Sequence, residues 1–130
     1  MSITPLYAGT LALWFLVLSI RVVLCRIGPK GPSLGDGGDL MILRRIRAQA
    51  NFSEYVPLVI ILSGFIELNA YPAWVLHLLG ASLLLGRLLH GYALSFTKES
   101  AFCRTAGIML TFVTLLGAAG LSIYIGLQKF

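Results

Sequence analysis

Arg44, Arg47, Asn51 and Glu54 follow one another at spacings of three, four and three residues, which on a helix puts all four on one face over about three turns. The set has a definite chemistry: guanidinium groups that bind carboxylates, an amide with both donor and acceptor, and a carboxylate that can hold an ammonium. Such a stripe suits a small zwitterionic or peptidic ligand. Arg87 and His90, three residues apart, share a second face; Arg87 is the natural charge partner for Glu54, and both can join a ligand set. Arg104, followed by the hydroxyl residue Thr105, is a further cation of the kind that favours a nucleophilic thiolate. Each has a plainer explanation. Arg44, Arg45 and Arg47 can snorkel to headgroups, a Glu54–Arg87 pair can be internal glue, and Arg104 can be a flanking charge. Position alone leaves both readings open.

Other chemistries find no support. There is no nucleophile beside a base, no P-loop and no dinucleotide fingerprint, and two isolated histidines, His77 and His90, make no metal site. A ligand bound here must bring its own reactive group, and a thiol fits that requirement.

The elements that hold these residues are set by an unusual composition. Of 130 residues, 58% are hydrophobic and only 12% charged, with a mean hydropathy of +0.89, whereas a soluble domain carries roughly 25% charged residues. The pattern excludes a water-soluble globule and a disordered chain. The formal charge of +5 sits beside the apolar runs, where it reports orientation and anionic headgroups, and not nucleic acid. Cys25 and Cys103 form neither a spaced framework nor a metal motif.

Four spans are predicted, in a single domain over residues 1–130. The first, residues 6–25, has Arg21 as its only charge and reads as retained, since no Lys or Arg precedes it. The second is apolar over 48–66 but starts near Asp39 or Leu40, giving 40–68; the third covers 72–96 and contains His77, Arg87 and His90; the fourth, 105–128, is uncharged. Between the first two lies IGPKGPSLGDGG, a Gly/Pro loop, after which Asp39 suits a helix N-cap. Arg26, Lys30, Arg44, Arg45, Arg47, Lys98 and Arg104 fall on one side and Lys129 alone on the other, so both termini are expected to face away from the cytoplasm. His77, Trp74 and Tyr71 read as interface residues, and Glu67 and Asn69 as hydrated ends. Pro57 should bend the second helix, and Gly64, Gly80, Gly86, Gly117 and Gly120 should let helices approach closely.

The run Arg47-Ala48-Gln49-Ala50-Asn51-Phe52-Ser53-Glu54-Tyr55-Val56-Pro57 closely resembles the signature of the membrane-associated proteins in eicosanoid and glutathione metabolism, the MAPEG family, which includes microsomal glutathione transferases and the leukotriene and prostaglandin synthases. The likeness extends to the four spans, the Gly/Pro loop and Gly86-Arg87-Leu88-Leu89-His90, and the short form with its GDGG loop is similar to a bacterial member. The resemblance implies an all-α integral membrane protein, a four-helix bundle assembling as a homotrimer, with glutathione bound between subunits near the cytoplasmic side of a bacterial inner membrane. Carried over residue by residue, it implies that Arg26, Arg47, Gln49, Asn51, Glu54 and Tyr55 contact glutathione and that Arg104, assisted by Thr105, stabilises its thiolate. Arg44, Arg87 and His90 stand as further candidates.

There is one departure. Members acting on leukotriene or prostaglandin substrates carry a tyrosine about seven residues after the arginine matching Arg87, where this chain has Leu94. Tyr92 lies about 200° away round a helix. The expected function is a glutathione transferase or peroxidase acting on apolar electrophiles or lipid hydroperoxides, with glutathione as co-substrate and no metal; the partners are further copies of the chain, membrane lipids and the electrophile. The alternative is a non-catalytic glutathione- or lipid-binding scaffold. A four-span drug exporter is disfavoured, because the first span has no carboxylate.

Overall fold

Each apolar run forms one helix in the computed structural model, which describes residues 1–129: α1 (Ile3–Arg26), α2 (Leu40–Leu68), α3 (Ala73–Ser95) and α4 (Ala101–Leu127). All four are long and apolar enough to cross a membrane. Their surface is inside-out relative to a soluble protein. Leu13, Leu24, Leu78, Phe102, Val113, Leu116 and Leu127 are exposed, as lipid-facing residues must be when helices satisfy their own backbone.

The boundaries differ from expectation where side chains from other helices intervene. α1 starts three residues early because Glu67, at the end of α2, accepts hydrogen bonds from the backbone N–H groups of Ser2, Ile3 and Thr4. These amides have no partner within the helix. The reading of Glu67 as merely hydrated is therefore corrected: its carboxylate is the N-terminal cap of another helix. α4 begins at Ala101 and not at 105, with the Arg104 N–H donating to the Ser100 carbonyl at 3.0 Å; a charged first turn does not stop a helix from extending past the apolar layer. Asp39 caps α2 as expected, accepting from Met41 N at 2.7 Å and Ile42 N at 3.3 Å.

α3 is the centre of the bundle. It packs against the other three helices, most extensively against α4; α2 also meets all three, while α1 and α4 do not meet. The buried positions of α2, Ala48, Phe52, Val56, Val59, Ser63 and Ile66, recur every three or four residues, and on α4 Gly107, Thr111, Thr114 and Ala118 do the same with small side chains, followed two turns later by Ile125. The α3–α4 seam is the tightest: a Cβ on Gly107 would lie 2.6 Å from the Gly86 carbonyl oxygen and 2.6 Å from the His90 nitrogen. Among the expected glycines, Gly86 is in this seam and Gly80 packs against the Tyr7 ring, but Gly120 faces open space and Gly64 and Gly117 have room for a Cβ. Close packing needs a glycine opposite backbone or ring atoms, and those three face neither.

The C-terminal end of α3 is closed by two arginines. Arg21 of α1 donates to the Ser95 hydroxyl at 2.8 Å and to the Ser95 carbonyl, its guanidinium lying 3.7 Å above the Phe96 ring. Arg44 of α2 donates to the carbonyls of Ala93 at 2.8 Å and Thr97 at 3.4 Å. Helix-end carbonyls carry partial negative charge, so cations are favourable there. At the opposite end, His77 is more than an interface ring, its Nδ1 lying 3.1 Å from the Tyr7 hydroxyl.

Candidate functional site

The stripe predicted on α2 exists as one face, and its neighbours decide what each residue can do. Arg47 and Glu54 approach to 3.7 Å, with side chains 54% and 48% exposed. Asn51, between them and half-buried, accepts a hydrogen bond from Arg87 Nη1 of α3 at 2.8 Å. This corrects the expected Glu54–Arg87 pair: Arg87 reaches the amide one turn earlier, and Glu54 is held by its own helix neighbour. Arg87 is 1% exposed, and its Nε and Nη2 have no partner among the described residues.

His90, one turn further along α3, is 6% exposed and packs against Gly107 of α4. It lies within the electrostatic reach of Arg87, Arg104 and Arg47. Tyr55 places its ring 5.4 Å from that of Phe112 on α4 and within the electrostatic reach of Arg87. One surface of a single chain therefore assembles Arg47, Asn51, Glu54, Tyr55, Arg87, His90 and Arg104, with Thr105 exposed beside Arg104. Three guanidinium groups against one carboxylate make it strongly cationic.

The remaining predicted residues lie elsewhere. Gln49 is about 160° round α2 from Asn51 at 100° per residue, and its Nε2 donates to the Ser19 hydroxyl of α1 at 3.0 Å. Arg26 bends back to the Gly35 carbonyl of the loop at 3.4 Å. Arg44 is committed to the end of α3. Sequence reasoning passed over two other contacts. Arg45 Nη1 donates to the Cys25 sulfur at 2.7 Å, and Trp14 Nε1 donates to the Arg87 carbonyl at 3.0 Å. The only signal for the second was an indole in the apolar first span, where buried N–H groups seek a partner.

Two cavities, of about 260 Å³ beside Asn69 and Lys129 and about 420 Å³ beside Cys25 and the 28–31 loop, lie away from the stripe. Of the cationic set, Arg47, Glu54 and Arg104 are exposed on the single chain, while Arg87 and His90 are buried. No group of His, Cys, Asp and Glu suited to a metal ion occurs among the described residues.

The MAPEG family model matches residues 4–124. The chain belongs to the MAPEG family. This MAPEG chain is also 35% identical over 114 residues to the inner membrane protein YecN of Escherichia coli strain K12, a match covering 88% of the chain and 85% of that protein. The YecN protein of E. coli O6:H1 strain CFT073 matches to the same extent. No solved structure matches. The family match takes in α2 and α3 whole and all but the outer ends of α1 and α4, and includes every residue of the cationic face.

Proposed function

We propose that this MAPEG chain is a glutathione-dependent transferase or peroxidase of a bacterial inner membrane, working as a homotrimer on apolar electrophiles or lipid hydroperoxides. The observation that carries the reading is the convergence of Arg47, Asn51, Glu54, Arg87, His90 and Arg104 on one face of a lipid-embedded bundle. Glutathione is an anionic tripeptide with an ammonium group. Arg47 and Asn51 suit its carboxylates and carbonyls, Glu54 suits its ammonium, and Arg104 favours the thiolate electrostatically. In conjugation the thiolate sulfur bonds to the electrophilic carbon and the leaving group departs with the electron pair. In peroxide reduction two glutathione molecules supply two electrons and two protons, giving an alcohol, water and glutathione disulfide.

The division of α2 supports a site completed by another copy. Gln49 and the Arg47–Asn51–Glu54 stripe face opposite ways, so one glutathione cannot touch both in the same chain. In a closed ring of copies, the Gln49 and Arg26 side of one chain meets the stripe of the next. The YecN relatives are named as inner membrane proteins, in keeping with the same compartment here; the positive-inside rule separately supports an Arg- and Lys-rich end on the cytoplasmic side.

The test is ultraviolet difference absorbance of the purified protein titrated with glutathione at neutral pH. The expected result is a saturable thiolate band, lost in Arg104→Ala while glutathione still binds. An undiminished band in the variant would remove Arg104 from the mechanism, and no binding by the wild type would overturn the glutathione reading. One observation favours a non-catalytic glutathione- or lipid-binding scaffold: Leu94 is 8% exposed in the helix core, while Tyr92 is 51% exposed and stacked on Phe96, so no phenol occupies the place of the family tyrosine. Binding without turnover across several electrophiles would select that alternative.

A further inference from the structure

Arg87 is the largest of the fully buried side chains, 1% exposed, and carries a full charge. Among the described residues its single side-chain hydrogen bond runs from Nη1 to Asn51 Oδ1 at 2.8 Å. A guanidinium has donors only, so whichever atom of the Asn51 amide faces it must be the oxygen. This conclusion is independent of how the amide is drawn. The Asn51 nitrogen is then the atom left unpaired among the described residues, on a half-buried side chain that shares its helix face with Arg47 and Glu54.

We infer that Arg87 is a positioning residue that locks the Asn51 amide, so that the cationic face offers Asn51 only as a donor and selects an acceptor, a carboxylate or peptide carbonyl, from the ligand. The inference rests on the glutathione reading for its ligand but not for its geometry. It separates the two roles open to Arg87: it acts through Asn51 and does not touch the ligand. An unlocked amide would be free to turn its oxygen to the ligand, and Glu54 already supplies an acceptor on this face. Trp14 ties the backbone at Arg87 to α1 by donating to the Arg87 carbonyl at 3.0 Å.

The test has two arms. The first is isotope-edited infrared spectroscopy of protein carrying ¹³C-labelled asparagine, with Asn69→Ser identifying the Asn51 band. A charge-assisted hydrogen bond weakens the carbonyl, so the wild-type band should lie below that of Arg87→Met, with Arg87→Lys restoring part of the shift. Identical bands in wild type and Arg87→Met would overturn the inference whether or not glutathione binds. The second arm is calorimetric titration with glutathione. Arg87→Met and Asn51→Ala should each weaken binding by roughly tenfold, the size of one lost hydrogen bond to a charged group. The double variant should be no weaker than either single, because both remove the same contact. A double variant weaker by about a hundredfold would mean that Arg87 meets the ligand independently, and would overturn the positioning role. A shifted infrared band in a wild type that binds no glutathione would uphold the locked amide and overturn the proposed function.

Discussion

Gly107→Ala tests whether the α3–α4 seam sets the geometry of the cationic face. The added Cβ would stand 2.6 Å from both the Gly86 oxygen and the His90 nitrogen and 2.8 Å from the His90 Cβ, where ordinary contact begins at 3.4 Å. Subtracting 2.6 from 3.4, the helices must part by about 0.8 Å. Two of the three obstacles are backbone, so no rotamer change relieves them. Overpacking of this kind costs about 1–3 kcal/mol, while alanine gains about 1 kcal/mol over glycine within a helix; a backbone clash belongs in the upper part of the first range, leaving a net loss of about 1–2 kcal/mol. Gly120→Ala is the control. It meets nothing within 4 Å and keeps the whole propensity gain of up to about 1 kcal/mol, so the two variants should differ by roughly 2–3 kcal/mol. Reversible unfolding in mixed micelles with increasing dodecyl sulfate measures this directly. Arg104 lies one turn before Gly107, so the parted seam also carries its guanidinium away from His90 and Arg87. Displacement on the order of 1 Å can cost 10²-fold in turnover, and the glutathione thiolate band should weaken accordingly. Equal stability of the two variants would refute the reasoning.

Two further substitutions probe the opposite end of the bundle. Glu67→Ala should cost about 3 kcal/mol, roughly 1.5 kcal/mol for each of the part-buried N–H groups of Ile3 and Thr4, while Ser2 returns to water; Glu67→Gln, which keeps one acceptor oxygen, should cost less. Deuterium exchange confined to the first turn of α1 would locate the effect. Ala70 holds the turn between α2 and α3 with φ +56°, a left-handed conformation that favours glycine, and Ala70→Gly should raise stability by up to about 1 kcal/mol in the same unfolding assay.

The helices were legible because an apolar run of span length admits no other structure in a bilayer, and the Asp39 cap because its chemistry is local. The stripe on α2 was legible for the same reason: its spacing is a property of one helix. Choices made between helices were not. Whether Arg87 meets Asn51 or Glu54 depends on a relative rise of about 4.5 Å along the axis, which no single-helix pattern encodes. Glu67 looked like a solvated end because the sequence does not say that the amides of α1 finish beside it. Gly117 and Gly120 looked like packing positions because a glycine in an apolar run does not reveal which way it faces. Gly107 was missed, although Thr111, Thr114 and Ala118 extend its strip of small residues at helical spacing.

Trp14 is tied to the Arg87 carbonyl and stacked at 5.8 Å on Phe96, while the second of the two tryptophans, Trp74, sits 68% exposed near the far end of α3. Exchanging Trp74 for phenylalanine leaves a single indole whose emission comes from the seam between α1 and α3. The molecule thus has a built-in optical reporter one hydrogen bond from Arg87, able to follow events at the cationic face without an added dye.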